Sequence, residues 1–320
     1  METVNQLTPL GERNNRREQD SRAELVERIA RLVREDGVVE PLPGIHLARS
    51  SRPQEGIHSV YQTAFCAIAQ GAKEVFIGET VHQYDEDHYL LATMELPAVS
   101  RIVRATREEP YLSLRLDLDP ALVGAAMVEA GLQVPSSQID AKAVGVSGLD
   151  TELLDACVRL VRLIDAPVVA RAILPLVKRE IVFRLLFGEQ GNRLRYLPVF
   201  EGHSHSIGKA LAMLRKDYDQ PLRIEAIARE LGMSTSGFYH HFKTVTDMSP
   251  LQYQKQLRLQ QARRLMLGEN LDAATAGFRV GYSDASHFSR DYRKHFGKPP
   301  ARDVEYVRSA HGAVPAATSI

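Results

Sequence analysis

The feature that most constrains how this chain can fold is an internal repeat near its carboxyl end. Residues 228–250 (ARELGMSTSGFYHHFKTVTDMSP) and residues 277–300 (GFRVGYSDASHFSRDYRKHFGKPP) follow one pattern. In each copy an apolar residue, a glycine, a second apolar residue and a serine precede two aromatic residues that are four positions apart. Residues at that spacing lie on the same face of an α-helix. The chain therefore contains the same helical unit twice.

Each copy has the local signals of two crossing helices. A short helix is expected at 224–230 and again at 271–278, and each is followed by a glycine, Gly232 or Gly281, suited to a left-handed turn. A serine then caps a second helix, and the aromatic pair fixes that helix to the core. The aromatic pairs are Phe238 with Phe242 and Phe288 with Tyr292. This arrangement predicts a helix-turn-helix motif in each copy.

Once the aromatic residues face inward, each second helix exposes a polar and basic face. Such a face suits the major groove of DNA, where a recognition helix reads base edges and flanking Lys or Arg side chains hold phosphates. The alternative is a pair of structural helical hairpins that bind no DNA. The exposed residues are expected to be Ser236, Gly237, Tyr239, His240 and Lys243 in the first copy, and Ala285, Ser286, His287, Arg290 and Arg293 in the second.

A continuous helical pattern, SPLQYQKQLRLQQARRLML, joins the two copies from Ser249 to Leu267. About 18 residues at about 1.5 Å each give a helix of roughly 27 Å. A rigid spacer of that length can set two recognition helices about one DNA turn, roughly 34 Å, apart, so that one chain reads two successive major grooves. The expected apolar stripe of this helix is Leu251, Leu257, Ala262, Leu265 and Met266.

The charge of the chain is divided unevenly. Lys plus Arg and Asp plus Glu both number 40, so the formal net charge is zero. Residues 203–308 nevertheless carry 17 Lys and Arg against 11 Asp and Glu, a net of +6, which leaves −6 on the remainder. A basic region on an otherwise acidic chain is typical of a protein in which one domain meets phosphates, although it also fits an ordinary solvated surface. The two regions are expected to have different partners.

Length and composition place the chain among cytoplasmic globular proteins. At about 100 to 200 residues per domain, 320 residues predict two domains. No apolar run approaches the roughly 18 residues of a membrane span, and the first residues lack the apolar core of an export signal. Cys66 and Cys157 lie in no CxxC or Cys/His spacing and are expected to be buried reduced thiols, with a reactive Cys66 as the alternative.

A sheet-rich region precedes the repeat. Between residues 44 and 118, short runs rich in Val, Ile, Tyr, Phe and Thr alternate with turns, which predicts an antiparallel sandwich or barrel. A helix is expected before it, at 21–36, with Ser21 and Glu24 as a capping box. A helix capped by Asp119 follows it, and then one more strand, AKAVGVSG, that could close the sheet.

Two further helices at 150–191 separate the sheet region from the repeat. The first places Leu153 and Cys157 on one apolar face, and the second has Val169 and Ile173 at helical steps. A helical pair beside a small sheet domain must bury that stripe on the sheet, on the C-terminal domain or on the same helices of a second subunit.

The segment from Ile207 to Arg308 resembles the DNA-binding domain of the AraC/XylS family of bacterial transcription regulators. IARELGMSTSGFYHHFK, SPLQYQKQLRLQQARRLML and VGYSDASHFSRDYRKHFGKPP are similar to its first unit, its linker helix and its second-unit signature. The upstream segments VYQTAFCAIAQGAKEVFIGE, YLLATMELP and EEPYLSLRLDLDP resemble the cupin-like N-terminal domain of one subgroup of that family.

The resemblance implies an α+β multi-domain fold: an N-terminal cupin-like β-barrel with flanking helices, and a C-terminal all-α domain of two helix-turn-helix units joined by a linker helix. It implies a homodimer whose partners are double-stranded promoter DNA, RNA polymerase and an unknown small-molecule effector, with no membrane contact, no cofactor and no enzymatic activity. The expected organisation is a mobile leader at 1–20, a cupin-like sensor domain at 21–149, a helical pair for dimerisation at 150–191, a linker at 192–204, the DNA-binding domain at 205–308 and a tail at 309–320.

The same similarity assigns candidate base contacts to both units. Ala285 cannot hydrogen-bond to a base edge and Gly237 weakens the first recognition helix, so which unit dominates specificity stays open. Lys243 and Arg293 complete the candidate DNA-binding set, Lys243 as a phosphate contact. The implied base contacts are Ser236, Tyr239 and His240 in the first unit and Ala285, Ser286, His287 and Arg290 in the second.

A metal-dependent cupin enzyme with a DNA-binding tail is the main alternative. A cupin metal site usually combines a His-x-His pair with a nearby Glu and a later His. His82, Glu86 and His88 share one segment, but the histidines are too far apart for that pattern and the next one is His203. Solvated turn residues are favoured, and no metal site is expected. A third possibility, an architectural DNA protein, predicts strong bending with little sequence preference.

The sheet domain is also where an effector would bind. A small barrel can enclose one small molecule, and the resemblance implies an effector pocket there. No residue pattern identifies the effector. The candidate pocket residues, which could equally fill the interior, are Tyr61, Phe65, Phe76, Tyr84, Tyr89 and Tyr111.

Overall fold

The computed structural model describes residues 9–135, 142–198 and 206–310, which form a sheet-rich N-terminal domain and a helical C-terminal domain. Among these residues no helix is long and apolar enough to cross a membrane. The strands are β1 (Gly37–Leu42), β2 (Ile45–Ser50), β3 (Gln54–Tyr61), β4 (Ala64–Gln70), β5 (Ala72–Ile77), β6 (Thr80–Asp85), β7 (His88–Ala92), β8 (Leu96–Arg104), β9 (Tyr111–Asp117) and β10 (Val144–Gly148). The α-helices are α1 (Pro9–Leu32), α2 (Pro120–Glu129), α3 (Thr151–Arg162), α4 (Pro167–Phe187), α5 (Gly191–Leu194), α6 (Ser206–Lys216), α7 (Ile224–Glu230), α8 (Thr235–Thr246), α9 (Pro250–Gly268), α10 (Ala273–Arg279), α11 (Ala285–Phe296) and α12 (Pro300–Ala310).

The strands of the N-terminal domain form two antiparallel sheets. The larger has the order β1-β2-β9-β4-β7-β10 and the smaller the order β3-β8-β5-β6. Because side chains alternate along a strand, Phe65 and Ala67 of β4 face the helices. Cys66 and Ile68 of the same strand face the smaller sheet. The predicted fold class is confirmed with one refinement: among the described strands β10 extends an edge of the larger sheet, and no closed barrel forms.

The first helix begins at Pro9, inside the segment 1–20 that we predicted to be a mobile leader. Arg17 forms an ion pair with Asp155 of α3, and the hydroxyl of Ser21 donates to the same carboxylate at 2.9 Å. The leader prediction is therefore wrong from Pro9 onward, and Ser21 lies within the helix rather than at its N-cap. The polar residues of this segment pair with a helix far along the chain, a contact that leaves no local sequence signal.

Helices α1, α3 and α4 cover the outer face of the larger sheet. The apolar face of α3, including Leu153 and Cys157, is completely buried there. The helix α4 buries its second half but leaves Val169, Ile173 and Leu176 exposed, the last by 60%. Of the three partners predicted for the apolar stripe of this helical pair, the sheet covers the apolar face of α3. The exposed apolar row of α4 has no partner within the described chain.

The predicted linker at 192–204 is wrong in its first part. Residues Gly191–Leu194 form the short helix α5, and Leu194, Tyr196 and Leu197 are buried. These apolar side chains belong to the hydrophobic cores on the two faces of the larger sheet. In the sequence, polar neighbours interrupt their periodicity. Residues 199–204 lie outside the described residues, as does the predicted tail from residue 311 onward.

The central helix α9 organises the C-terminal domain. It begins at a capping box in which Ser249 Oγ accepts from the backbone amide of Gln252 at 3.2 Å, while the side chain of Gln252 accepts from the amide of Ser249. Leu251, which we predicted in its apolar stripe, is 61% exposed, and Tyr253 and Leu259 are buried instead. The buried side chains of α7 and α8 belong to the same hydrophobic core as the side chains between the two sheets. Those of α10 and α11 form a separate hydrophobic core.

Candidate nucleic-acid interface

The first helix-turn-helix is α7 followed by α8. The turn between them passes through Gly232, whose φ of +67° is easily reached only without a side chain. Ser234 caps α8, because its Oγ accepts from the amide of Gly237 at 3.1 Å. Phe238 and Phe242 are completely buried, with ring centroids 5.6 Å apart. The rotation of α8 about its axis is thereby fixed.

The second unit, α10 followed by α11, repeats this geometry with a different cap. Its turn residue Gly281 has a φ of +89°. Asp284, and not the predicted serine before it, caps α11 by accepting from the amide of His287 at 2.6 Å. A carboxylate is also favoured there by the positive end of the helix dipole. Phe288 and Tyr292 are completely buried, and Tyr292 Oη donates to Asp303 at 2.7 Å.

The opposite faces of α8 and α11 carry the residues predicted to meet DNA. Gly237 and Ala285 are half-buried at the first turn of each helix. Their contact with DNA stays a prediction. The exposed members are Ser236, Tyr239, His240 and Lys243 on α8 and Ser286, His287, Arg290 and Arg293 on α11.

The cations of the two faces differ in their surroundings. Arg290, Arg293 and Lys294 line one surface groove at the end of α11. Within the described chain neither arginine of this groove forms an ion pair. Lys243 on α8, in contrast, has its Nζ 3.8 Å from a carboxylate oxygen of Glu79 in the N-terminal domain.

A turn of the N-terminal domain contacts the end of α8, and we call this contact the clamp. It consists of the β5–β6 turn, Gly78 to Thr80, against Asp247. The backbone amides of Thr80 and Glu79 donate to Asp247 Oδ2 at 2.8 and 3.2 Å. A Cβ at Gly78 would overlap the carbonyl oxygen of Asp247. Beside the clamp, the amide of Ala143 donates to the carbonyl of Val245 at 2.9 Å.

The strand β8 makes a second contact between the domains. Glu95, just before this strand, forms an ion pair with Arg215 of α6 at 2.7 Å. The carbonyl of Glu95 accepts from Tyr253 Oη of α9 at 3.2 Å. Further along α9, Gln260 Nε2 donates to the carbonyl of Ser59 on β3 at 3.0 Å. Sequence reasoning missed all of these contacts, because each joins two locally unremarkable positions that are far apart in the chain.

The second helix-turn-helix meets the N-terminal domain through two histidines. The ring of His58 on β3 lies 4.7 Å from that of His295 and 4.6 Å from that of Phe296, both on α11. Burial, with smaller contributions from His295 and Arg263, lowers the pKa of His58 to about 3. Burial, aided by Arg263 and Lys255, lowers the pKa of His295 to about 4. Both rings are therefore neutral at pH 7.

The six candidate pocket residues of the sheet domain do not come together. Phe65 and Tyr89 lie on the outer face of the larger sheet among the helices. Phe76 is half-buried, with the guanidinium of Arg101 5.7 Å from its ring centroid. The remaining three, Tyr61, Tyr84 and Tyr111, are buried together between the two sheets.

Two buried cations share that space with the tyrosines. Lys73 of β5 is 2% exposed, and its Nζ lies 5.3 Å from the ring centroid of Tyr61. Arg115 of β9 is 8% exposed and pairs with Asp117 at 3.0 Å. The sequence does not distinguish Lys73 from the neighbouring Glu74, because both are charged residues at the start of one predicted strand, and only the structure shows that the lysine is the buried one.

Two of the three residues that share the histidine-containing segment, Glu86 and His88, have partners other than a metal. His88 Nδ1 lies 2.7 Å from Asp85 Oδ1, and Glu86 pairs with Arg104. Burial lowers the pKa of His82, with Lys142 adding to the effect. Across the described ranges, no three His, Cys, Asp or Glu side chains are grouped so that they could hold a metal ion.

Comparisons with known proteins agree with the two-domain geometry. Residues 41–193 match the family of AraC-type transcriptional regulator N-termini, and residues 227–305 match a helix-turn-helix domain family. The HTH-type transcriptional activator RhaS of Salmonella schwarzengrund is 29% identical over 149 residues, which are 46% of this chain and 49% of RhaS. The HTH-type transcriptional regulator ArgR of Pseudomonas aeruginosa is 28% identical over 130 residues, 40% of this chain and 39% of ArgR. The chain thus spans about half the length, or less, of these curated relatives.

A solved structure shares the whole fold. Unsaturated fatty acid-bound ToxT of Vibrio cholerae matches 87% of this chain and 99% of its own, with a TM-score of 0.51 and 10% sequence identity. In domain order and geometry the chain is similar to AraC-type transcriptional regulators: residues 41–193 belong to the family of AraC-type transcriptional regulator N-termini, and residues 227–305 belong to a helix-turn-helix domain family.

Proposed function

We propose that this protein regulates transcription by binding promoter DNA sequence-specifically through both helix-turn-helix units. The observation that carries the proposal is that α8 and α11 are each fixed by two buried aromatic residues and each expose a polar or basic face. The 19 residues of α9 give a spacer of about 28 Å, close to one DNA turn of roughly 34 Å. This geometry favours one chain reading two successive major grooves.

The two faces are proposed to divide the contacts between bases and phosphates. Arg290 has a planar guanidinium without an ion pair in the described chain, which suits bidentate binding to a guanine. Lys243, nearer the end of its helix, suits a phosphate. The remaining basic side chains of the α11 groove would hold the DNA backbone.

Footprinting on the intergenic DNA upstream of the gene tests this function. The full chain is expected to protect two adjacent major grooves per subunit, at two salt concentrations and in the presence of competitor DNA. Arg290→Ala should lose protection in one groove, and the control Arg107→Ala, at an exposed arginine of the N-terminal domain, should not. Binding that salt abolishes and competitor removes would instead identify a non-specific tether, and strong bending without a preferred sequence would identify an architectural protein.

The exposed row of α4 supports a homodimer. Val169, Ile173 and Leu176 lie at helical spacing on one face and remain exposed in the single chain. We expect two copies of α4 to bury this row against each other. Sedimentation should show a dimer for the full chain and a monomer for Ile173→Glu. Val81→Glu, at an exposed valine of β6, is the matched control, and an equal effect of both changes would contradict this interface.

A small-molecule effector is proposed to act through the clamp. ToxT, one of the fold neighbours, is known with an unsaturated fatty acid bound, which supports a small-molecule effector for this chain as well. In this proposal the effector, bound between the sheets, shifts the β5–β6 turn and so the orientation of α8 in the dimer. That shift decides which half-sites are held and whether RNA polymerase is engaged, in the cytoplasm where bacterial DNA lies. It requires that the effector binds the two arrangements with different affinity.

A further inference from the structure

The buried ammonium of Lys73 has no counter-charge in the described chain. Its side chain is 2% exposed, and no carboxylate of the described residues lies within ion-pair distance of it. Removing a charged group from water costs several kcal/mol unless a partner of opposite charge accompanies it. Such a position is unfavourable for the ligand-free chain and becomes favourable when an anion binds beside it.

A second cation approaches the same place from the opposite sheet. Arg115 is the cross-strand neighbour of Cys66 in the pairing of β4 with β9, whereas Lys73 comes from β5 of the smaller sheet. Burial raises the pKa of Cys66 to about 11, although Lys73 and Arg115 both act to lower it. The nearby carboxylate of Asp117 accepts from Arg115 and lies 2.9 Å from His46 Nε2. A neutral thiol is therefore close enough to feel both cations but supplies no counter-charge, and the carboxylate of Asp117 is already engaged.

The rest of the interior combines hydroxyl groups with small apolar side chains. Ser100 Oγ lies 3.4 Å from Tyr61 Oη, and burial raises the pKa of Tyr111, so that these phenols stay protonated and can donate hydrogen bonds. Donors and cations around small side chains suit a ligand with an anionic head and an apolar body. The small residues that face this space are Ala48, Ala64, Ala92 and Ala98.

We propose that the space between the two sheets binds an organic carboxylate with an apolar body, whose head lies between Lys73 and Arg115. This inference rests on the proposed function and gives its effector a chemical class. The site is linked to the DNA-binding domain by one strand, since β5 runs from Lys73 to the turn that forms the clamp on Asp247. Binding that draws Lys73 toward a new partner displaces the same strand that holds α8.

Thermal unfolding of the full chain with decanoate tests the proposal, with the neutral 1-decanol as the chemical control. Decanoate is expected to raise the melting temperature of the unaltered protein by about 3 °C or more, and 1-decanol is expected not to. Lys73→Met should melt higher than the unaltered protein without ligand, because a buried unpaired charge is gone, and should lose the response to decanoate. Lys216→Met is the control and should keep the response, since this exposed lysine of α6 lies in the other domain, outside the proposed site.

Two results would overturn the inference: no response of the unaltered protein to decanoate, or an equal response of Lys73→Met. Lys73→Gln, a second neutral variant with a polar end, repeats the comparison should the methionine variant fold poorly. The footprint is measured on the same samples. Protection of DNA without a decanoate response contradicts the carboxylate site but agrees with the proposed regulatory function. A decanoate response through Lys73 without protection of DNA supports the carboxylate site but contradicts the proposed regulatory function.

Discussion

The two helix-turn-helix units have the same local fold but meet the N-terminal domain through different chemistry. The first shares a core with the sheets and is held at Asp247 by two backbone amides. The second has its own core and touches the N-terminal domain through the neutral rings of His58 and His295. Its arginines on α11 form no ion pair in the described chain, whereas Lys243 of the first unit lies beside Glu79.

This difference indicates a division of roles. If the proposed effector binds between the sheets, it can move the unit whose helix α8 is held by the N-terminal domain. The unit with a separate core, whose α11 arginines form no ion pair in the described chain, would then bind DNA independently of the effector. We therefore expect the second unit to anchor the protein and the first unit to carry the regulation. The predictions below test that division, beginning with the largest effect.

Phe288→Ala should destabilise the core of the second unit without destabilising the core of the first unit. Phe288 is completely buried in the core of the second unit, and its truncation is expected to cost about 3 to 5 kcal/mol. Hydrogen exchange should show α10 and α11 losing protection while α7 and α8 keep theirs. Phe278→Ala, at an exposed phenylalanine of the same unit, is the control. Equal loss of protection in both units would show that the cores are not independent.

Arg290→Ala and Lys243→Ala should weaken DNA binding in different ways. Loss of Arg290 is expected to cost about 1 to 3 kcal/mol on the cognate site and to relax specificity at one base pair. Loss of Lys243 should weaken binding evenly across sequences and lower the salt slope by about 1. Binding titrations on cognate and substituted sites at several salt concentrations distinguish them. If the two variants showed the same profile, the assignment of Arg290 to a base and of Lys243 to a phosphate would be wrong.

Acid should weaken the histidine contact. Burial lowers the folded pKa of His58 and His295 to about 3 and about 4, below the ordinary 6.5 of the unfolded chain. The unfolded state therefore takes up more protons, so the contribution of this pair to stability is complete above pH 6.5 and falls as the pH drops toward 4. At pH 5.5 each ring is expected to cost about 1 kcal/mol.

Urea unfolding at pH 7.5 and 5.5 measures this effect. The double variant with His58→Phe and His295→Phe keeps an aromatic ring at both positions and should lose part of the pH dependence. Arg263 and Lys255 remain in both proteins, so their charges cancel in the comparison. His240→Phe, at an exposed histidine of α8, is the control. An unchanged pH dependence in the double variant would show that the contact is already open in solution.

Glu79→Gln should have the smallest effect and the opposite sign. Removing this carboxylate leaves Lys243 without its partner at 3.8 Å and available to a phosphate. Because both side chains are largely exposed, DNA affinity is expected to rise only about twofold to fivefold. Glu108→Gln, at an exposed glutamate of the N-terminal domain, should leave affinity unchanged. A fall in affinity would mean that Glu79 orients Lys243 toward DNA and does not compete with it.

Local signals sufficed for the helices of the repeat. The prediction of a helix at 224–230 agrees with α7, and the buried pairs beginning at Phe238 and Phe288 agree with the four-residue spacing. These features depend on residues within one turn of each other, so the sequence displays them. The sequence favours the serine as the cap of α11, whereas the cap is Asp284, because two capping residues in succession cannot be separated by type alone.

Contacts between distant segments were not predictable in this way. The helix α1 extends into the predicted leader, where Arg17 pairs with Glu152 and Asp155 of α3, far along the chain. The pocket candidates share only their aromatic character, and two of them, Phe65 and Tyr111, point to opposite faces of the larger sheet. Which face is which depends on strand register and on the position of the helices, and neither is encoded within a single strand.

The absence of a side chain at residue 78 has a genetic consequence. A side chain of any size at Gly78 would collide with the backbone of Asp247, and its φ of +58° adds strain to any replacement. Many different mutations at one codon would thus have the same outcome, separation of the β5–β6 turn from α8. A selection for promoters whose activity no longer depends on the proposed effector is expected to yield independent isolates at this codon, with diverse replacements and a common phenotype.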